Sequence, residues 1–369
     1  MRFPILAITV VVMMLAGTTN LAAAADCART STGLHPLPDL GMGTYEGVQG
    51  GLYPGGANTP PAAYTTEGRR AAAEIMPRSA SGQADASGKV VLLSIGMSNT
   101  TQEFSAFVRV AQADPLRDSH VIVVDGAQGG QDARDWSDPK HATWTRVDAR
   151  LAKAGVTTAQ VQAVWLKQAI ARPVGDFAAT SAKLETALAQ IVDNAKVRYP
   201  NLVQVFLSPR TYAGYAVTEL NPEPYAYESG FAVKRLVERS VRGPGARPWL
   251  SWGPYLWADG TKARADGLTW ACADTQSDGV HPSPSGEAKV AQQLQAFFSG
   301  SEFTTWYRGE SSAPVVPAVT GAAPTTVPPT GGSPLPALVL AAAAVAIGGA
   351  ATITLRLASR LRAAPRRRA

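Results

Sequence analysis

Histidine and cysteine are both scarce in this chain, and their scarcity narrows the chemistry that it can support. The 369 residues include four histidines and two cysteines. The sequence has no cluster of residues at metal-ligand spacing, no glycine-rich phosphate motif before a helix and no internal repeat. We therefore predict neither a metal site nor a cofactor.

Excess charge of one sign is also absent from most of the chain. The net charge is +6, but the last fourteen residues alone carry six arginines and no acid. The remainder is close to neutral and offers no basic face for nucleic acid. With 46% hydrophobic and 17% charged residues, the composition is that of a globular protein with a sizeable core.

The N-terminus has the features of a secretory signal peptide over residues 1–25. Arg2 is followed by an apolar stretch over residues 5–16 and by small residues at 22–25 that suit cleavage. Export permits a disulfide, so we predict a bridge between Cys27 and Cys272, with two free thiols as the alternative.

The C-terminus is typical of a membrane tether. Residues 308–334 form a Pro/Thr/Gly-rich stalk, residues 335–355 are long and apolar enough to span a bilayer, and residues 356–369 form a basic tail. The positive tail is expected in the cytoplasm, which leaves the protein secreted and anchored at the cell surface. Val327-Pro328-Pro329-Thr330-Gly331 resembles a sortase signal with Val in place of Leu, so sortase is a possible partner, although we favour a retained anchor.

Between these ends, an irregular N-terminal segment (26–88) precedes a domain at 89–307 in which strands and helices alternate. The predicted strands are continuous apolar runs, which is typical of a parallel sheet covered on both faces. We predict one three-layer α/β/α domain with a mainly parallel sheet. The predicted strands are 89–95, 120–124, 162–166 and 203–207, and the predicted helices are 101–113, 142–153, 176–198, 229–239 and 285–298, with a short helix near 67–74 and Ser285 as the cap of the last helix.

Polar residues follow the predicted strands at the sheet edge where such folds bind ligands. Ser98 follows the first strand, Gly129 and Gly130 follow the second, and Gln168 follows the third. An Asp-x-x-His motif, Asp278 to His281, precedes the last helix. A serine nucleophile needs an imidazole base, the base needs a carboxylate, and the oxyanion needs N–H donors, so these residues together predict acyl-transfer chemistry.

The small number of histidines identifies the candidate general base. His35 lies in the irregular segment, His120 begins a strand and His141 borders a surface helix. Only His281 has an aspartate three residues earlier on a loop with Gly and Pro, so serine chemistry is expected to use His281.

These blocks resemble the SGNH, or GDSL-type, hydrolase superfamily over about residues 89–298. The resemblance implies Ser98 as nucleophile, Asp278 and His281 as its partners, and Ser98, Gly130 and Gln168 as the oxyanion hole, with Gly129 also possible. Members of this superfamily usually carry Asn where this chain has Gln168. The departure looks like the sialate O-acetylesterase and acetylxylan-esterase branch, although Met97 and Ala169 do not match that pattern.

Each of these residues also has a structural reading. Ser98 suits a helix cap, the glycines a tight turn, Gln168 a loop hydrogen bond, and Asp278 and His281 a surface turn. Asn99, Gly129, Trp252, Tyr255 and Trp257 are candidate substrate contacts, since aromatic rings stack on sugars. Any one ring is equally suited to packing a loop over the sheet.

The sequence thus predicts an exported, membrane-tethered serine esterase, with O-acetyl esters on extracellular carbohydrate as the expected substrate. Two alternatives remain open: a glycan-binding protein on the same scaffold that no longer hydrolyses its ligand, and a lipase acting on longer acyl chains.

Overall fold

The computed structural model describes residues 24–309 apart from residues 244, 246 and 247. Most of the predicted signal peptide (1–25) and stalk (308–334) lies outside the described residues, as do the predicted membrane span, the basic tail and the sortase-like motif. Within the described part, no helix combines the length and the hydropathy that a membrane span requires.

A five-stranded parallel sheet forms the centre of the domain, which confirms the predicted mixed α/β class. Its strand order is β4-β3-β5-β6-β7, so the chain starts near one edge and then winds across to the other. Every residue of β3, β5, β6 and β7 is buried, because helices cover both faces. The strands are β3 (Val90–Gly96), β4 (Val121–Val124), β5 (Val161–Lys167), β6 (Gln204–Leu207) and β7 (Trp249–Trp252), and a separate antiparallel pair comprises β1 (Thr44–Tyr45) and β2 (Val48–Gln49).

The helices pack as two groups. Helix α3, which follows β3, packs on the last helix, α8, while α6 packs on α7 and on the short α4. The described helices are α1 (Leu37–Leu40), α2 (Ala62–Glu74), α3 (Ser98–Ala113), α4 (Ala133–Ser137), α5 (Ala142–Lys153), α6 (Phe177–Arg198), α7 (Tyr225–Arg242) and α8 (Pro284–Gly300).

The structure differs from the sequence prediction mainly in the second half of the chain. Trp249–Trp252, interpreted as part of an aromatic loop, is the fifth strand of the sheet. The cap of α8 is Ser283 rather than Ser285, and its hydroxyl accepts a hydrogen bond from the Gly286 N–H. Helix α7 begins before residue 229, and α4 was not predicted, since five residues show too little periodicity.

The buried carboxylate of Asp259 holds the start of the N-terminal segment to the domain. The Ser31 hydroxyl donates to Asp259 Oδ2 at 2.5 Å, and the Thr32 hydroxyl and N–H donate to Oδ1 at 2.7 and 2.6 Å. The Asp26 N–H donates to the Tyr215 carbonyl at 3.0 Å. These bonds place the chain around Cys27 against the loops that precede α8.

The Cys27–Cys272 disulfide predicted from the sequence is confirmed. It joins residues 245 positions apart, with their Cα atoms 5.3 Å from each other. Cys272 begins a short 3-10 helix, Cys272–Asp274, which immediately precedes the segment bearing Asp278 and His281. The bridge thus links the N-terminal segment to the chain that carries the histidine.

Removing this bridge should destabilise the domain markedly. Closing so long a loop restricts the unfolded chain, so we expect C27A/C272A to lower the free energy of unfolding by roughly 2–5 kcal/mol. Denaturant titration of wild type and variant measures the difference, with reductant added to both proteins as a control that should affect wild type alone. A difference below about 1 kcal/mol would show that the disulfide contributes little.

Candidate active site

Ser98 lies at the turn from β3 into α3. Its neighbour Met97 is the extended N-cap residue and makes no side-chain capping bond, so Ser98 is the first residue inside the helix. A side chain at Gly96 would place its Cβ 2.4 Å from the Thr100 side chain, so this turn requires glycine. The structural reading of Ser98 as a helix cap is therefore wrong, and its hydroxyl is free for another partner.

That partner is His281, and the two complete a Ser–His–Asp arrangement with Asp278. Ser98 Oγ lies 2.7 Å from His281 Nε2, and His281 Nδ1 lies 2.5 Å from Asp278 Oδ2. All three side chains are partly buried at the carboxyl edge of the sheet. With Nδ1–H donating to Asp278, Nε2 presents a lone pair to the serine hydroxyl, as a general base requires.

Asp278 is held as a carboxylate. Burial alone would raise its pKa, but hydrogen bonds from the His281 side chain, the His281 N–H and the Val280 N–H outweigh burial and lower the pKa below its ordinary value. Both N–H groups donate to Oδ1 at 3.0 Å, which leaves Oδ2 for the imidazole. The acid therefore remains charged while it orients the base.

The Asp-x-x-His loop is docked on the segment that follows β6. The Val217 N–H donates to the Asp278 carbonyl at 3.1 Å. Gly279 has φ +70°, and a Cβ there would lie 2.0 Å from the Tyr215 carbonyl oxygen. Only glycine fits this position, so the loop approaches its neighbour closely and the histidine is fixed in place.

The glycine turn after β4 reaches Ser98 through Gly129. A Cβ added to Gly129 would lie 3.7 Å from Ser98 Cβ, whereas one added to Gly130 would have no atom within 4 Å. Gly130 has φ +74°, a left-handed conformation that glycine adopts readily. The spacing of the motifs assigned the oxyanion position to Gly130, with Gly129 also possible. The Cα of Gly129 faces Ser98, and which of the two N–H groups donates to the oxyanion stays a prediction.

Gln168 links this turn to the end of β5. Its amide nitrogen donates to the Gln131 carbonyl at 3.3 Å, and its Oε1 accepts from the Ala169 N–H at 3.2 Å. The predicted loop hydrogen bond is therefore present. The second amide hydrogen is not used by either bond, and its role as an oxyanion donor stays a prediction.

The remaining candidate substrate contacts are buried. Trp252, Tyr255 and Trp257 are 4%, 5% and 0% exposed, so their rings are not available for stacking on a sugar. Their polar atoms bond to the Leu52 carbonyl, the Leu37 N–H and the Glu223 carboxylate, respectively. Asn99 is also buried, and its Oδ1 accepts from the Thr100 N–H. For the three rings the packing interpretation is right and the assignment as substrate contacts is wrong. The Asn99 amide nitrogen is buried without a hydrogen-bond partner among the described residues, so the role of Asn99 stays a prediction.

Sequence reasoning gave no role to Asp125, which ties the nucleophile helix to the sheet. The Ser94 hydroxyl of β3 donates to Asp125 Oδ1 at 2.7 Å, and the hydroxyls of Thr101 and Ser105 on α3 donate to Oδ2. Burial raises the pKa of Asp125 above its ordinary value, although these hydrogen bonds oppose the shift. Its position directly after β4 could have indicated such a role, because the other candidate residues lie at the same edge of the sheet.

A buried ion pair was also missed. Lys167 Nζ lies 2.6 Å from both carboxylate oxygens of Glu103, and both side chains are fully buried. Burial lowers the pKa of Lys167 to about 8, although Glu103 opposes the shift. The Thr100 hydroxyl also donates to the Lys167 carbonyl at 2.9 Å. These contacts fasten the helix of Ser98 to the strand that ends next to Gln168.

No group of three or more His, Cys, Asp or Glu side chains in the described part of the chain is arranged to hold a metal ion.

The chain matches no family model and no curated protein. Solved structures resemble it distantly. A provisionally assigned SGNH hydrolase from Slackia heliotrinireducens has 16% identity and a TM-score of 0.33, with 57% of this chain and 100% of that chain covered. An extracellular lipase from Streptomyces rimosus has 13% identity and a TM-score of 0.32, covering 56% and 99%. The periplasmic domain of a Salmonella ser. Paratyphi A lipopolysaccharide acetyltransferase has 13% identity and a TM-score of 0.31, covering 56% and 83%.

The fold and site define an α/β/α protein with a Ser–His–Asp constellation at the carboxyl edge of a parallel sheet. Ser98 after the first strand of the large sheet, glycines after the second and Asp-x-x-His before the last helix are the arrangement by which the chain resembles SGNH/GDSL-type hydrolases. Similarities this distant carry no argument about superfamily, reaction or substrate, so the resemblance rests on these residues and their geometry alone. The likeness to the sialate O-acetylesterase branch stays a prediction.

Proposed function

We propose that the protein is a serine esterase of the SGNH type. The observation that carries this proposal is the continuous hydrogen-bonded path from Ser98 Oγ through His281 to Asp278, with bonds of 2.7 and 2.5 Å. Ser98 begins α3, while Asp278 and His281 lie on one loop that is distant in sequence. The Nδ1–H of His281 donates to Asp278 and its Nε2 faces the serine hydroxyl, as a nucleophile and its base require.

In the proposed reaction, Ser98 Oγ attacks the ester carbonyl while its proton passes to His281 Nε2. The imidazolium, stabilised by the charged Asp278, then protonates the departing alcohol as the ester C–O bond breaks. Water attacks the acyl-serine in the second half, with His281 again as base, and releases the acid. If an alcohol takes the place of water, the same residues perform acyl transfer.

The developing oxyanion would lie near the N-terminus of α3. The Ser98 N–H is there, the helix dipole favours negative charge, and Gly129 lies alongside. We propose the N–H groups of Ser98 and of the Gly129–Gly130 turn as donors, with the second amide hydrogen of Gln168 as the third.

For the substrate, we propose an O-acyl ester on a carbohydrate outside the cell. The support is the predicted export and tethering of the chain, together with the Gln168 position that resembles carbohydrate-esterase relatives. The aromatic residues do not contribute to this argument, since they are buried.

The second candidate is a glycan-binding protein without catalysis. One observation favours it: the Gln168 amide already donates to the Gln131 carbonyl, so a stable loop contact accounts for its presence. A lipase acting on long acyl chains remains the third possibility, which chain-length profiling on model esters would test.

A fluorophosphonate probe tests the proposal directly. An activated serine should be phosphonylated in folded wild-type protein, and peptide mass spectrometry should locate the adduct on Ser98. Ser87→Ala, at an exposed turn, should label as wild type does, whereas Ser98→Ala should not label. Absence of an adduct on folded protein would favour the binding alternative.

A further inference from the structure

An open groove lies between the loop after β5 and helix α6. Its volume is about 640 Å³, and its lining includes Ile170, Pro173 and Val174 of the loop and Lys183 and Ala187 of α6. Ser98, Asp278 and His281 are not among its lining residues. The groove is therefore distinct from the catalytic cleft itself.

The loop residues that line the groove follow Gln168 directly in the sequence. The Ala133 N–H donates to the Ala169 carbonyl at 3.0 Å, and the Asn221 amide donates to the Ile170 carbonyl at 3.2 Å. Gln168 in turn bonds to Gln131, two residues beyond Gly129. Hydrogen bonds thus connect the loop that lines the groove to the turn that carries Gly129, whose position is next to Ser98.

The charges of the groove all have one sign. Arg134, Arg172 and Lys183 line it, and no acidic residue does. Arg134 is paired with Asp132, whose carboxylate accepts from the Arg134 Nε–H at 3.0 Å. Within the described residues, Arg172 and Lys183 are exposed and have no ion pair with an acidic side chain.

Arg172 is also held in an unusual conformation. Its φ is +50°, a left-handed value that costs a side-chain-bearing residue energy, and its N–H donates to the Leu220 carbonyl at 2.8 Å. A residue kept in this conformation presents its side chain from a fixed backbone position. The fold of the loop therefore fixes the point from which the Arg172 side chain extends at the groove.

From this arrangement we infer that the groove binds a carboxylated sugar of the polymer whose ester is presented to Ser98. Arg172 and Lys183 would contact carboxylates, while Pro173 and Val174 would contact the apolar face of the sugar rings. An anionic membrane surface fits less well, because Val174, at 82% exposed, is the only strongly exposed large apolar side chain lining the groove. This inference rests on the proposed function for its link to Ser98.

The test compares an acidic with a neutral acetylated polymer. For Arg172→Gln/Lys183→Gln, we expect the ratio of kcat/KM on acetylated polygalacturonate to that on acetylated xylan to fall about tenfold, mainly through KM. Wild-type kcat/KM on the acidic polymer should also fall as salt rises, and the variant should show a weaker salt dependence. Arg70→Gln/Lys153→Gln removes two exposed cations outside the groove and should keep the wild-type ratio.

A binding measurement separates this inference from the esterase proposal. Unesterified polygalacturonate should bind the Ser98→Ala protein and bind it at least several-fold more weakly when both groove cations are replaced. That result supports the groove even if the fluorophosphonate probe leaves Ser98 unlabelled. Equal losses on both polymers, an unchanged ratio, or charge-dependent binding of phosphatidylglycerol vesicles without binding of polygalacturonate would each overturn the inference.

Discussion

Ser98→Ala should reduce kcat for a short-chain ester such as p-nitrophenyl acetate by a factor on the order of 10⁵, judged from serine triads in general. The hydroxyl removed is the one that lies 2.7 Å from His281 Nε2, and its loss leaves the base without a nucleophile to activate. Because members of a triad act together, His281→Ala should cost nearly as much, and the double variant little more. Steady-state kinetics on the three proteins measures this non-additivity.

Ser87→Ala serves as the matched control, because its hydroxyl lies at an exposed turn and bonds only locally, to Asp85. Circular dichroism should show that every variant remains folded. Residual activity of Ser98→Ala within tenfold of wild type would contradict the proposed nucleophile, since the background from binding and oxyanion donors is far smaller than that.

Glu103→Gln should be among the most destabilising single substitutions in the domain, lowering the free energy of unfolding by about 3–5 kcal/mol. The substitution leaves the Lys167 ammonium fully buried with its carboxylate partner removed. Since burial already lowers the pKa of Lys167 to about 8, the lysine can release its proton instead of remaining charged. That release limits the loss.

The pH dependence follows from this release. With Glu103 gone, the folded-state pKa of Lys167 falls further below its unfolded value, so the unfolded chain binds more protons between the two values. The stability of Glu103→Gln should therefore rise as pH increases from about 7 toward 9, whereas wild type should change less. Denaturant titrations at several pH values measure both curves.

A double-substituted protein separates the cost of an unpaired charge from the value of the pair. Glu103→Leu/Lys167→Met replaces both charges with apolar groups and should recover most of the lost stability. Arg69→Gln, which removes a member of the exposed Arg69–Glu302 pair, should change stability by less than about 1 kcal/mol. A loss below about 1 kcal/mol in Glu103→Gln would show that the pair is not needed for folding.

The sequence predicted most of the sheet and the identity of the triad, because both have local signals. Four of the five large strands are continuous apolar runs, and periodicity places the helices between them. Asp278 and His281 are three residues apart, so their contact is a property of one loop. With only four histidines in the chain, elimination was sufficient to select the base.

Other features depended on contacts between distant segments, and only the tertiary structure decided them. Trp249–Trp252 has two tryptophans among its four residues and lies in a Gly- and Pro-rich region, and it forms a strand by pairing with β6. Tyr255 beyond it is buried and accepts a hydrogen bond from the Leu37 N–H of the N-terminal segment, and a sequence pattern does not show which distant segments will meet. The same holds for Lys167 and Glu103, 64 residues apart, whose charges suggest exposure when each is considered alone.

The candidate active site shows the same division between what the local sequence determines and what the tertiary structure decides. Residue types and strand ends determined which side chains belong to the edge of the sheet, since parallel strands present their carboxyl ends together. Only the three-dimensional structure decided that Ser98 meets His281 across 183 positions, that Gly129 lies beside the nucleophile, and that Asp125 and Lys167 hold the helix of Ser98 in place. The physical reason is that hydrogen-bond geometry and burial are set by the packing of whole elements, to which each residue's local sequence contributes only a small part.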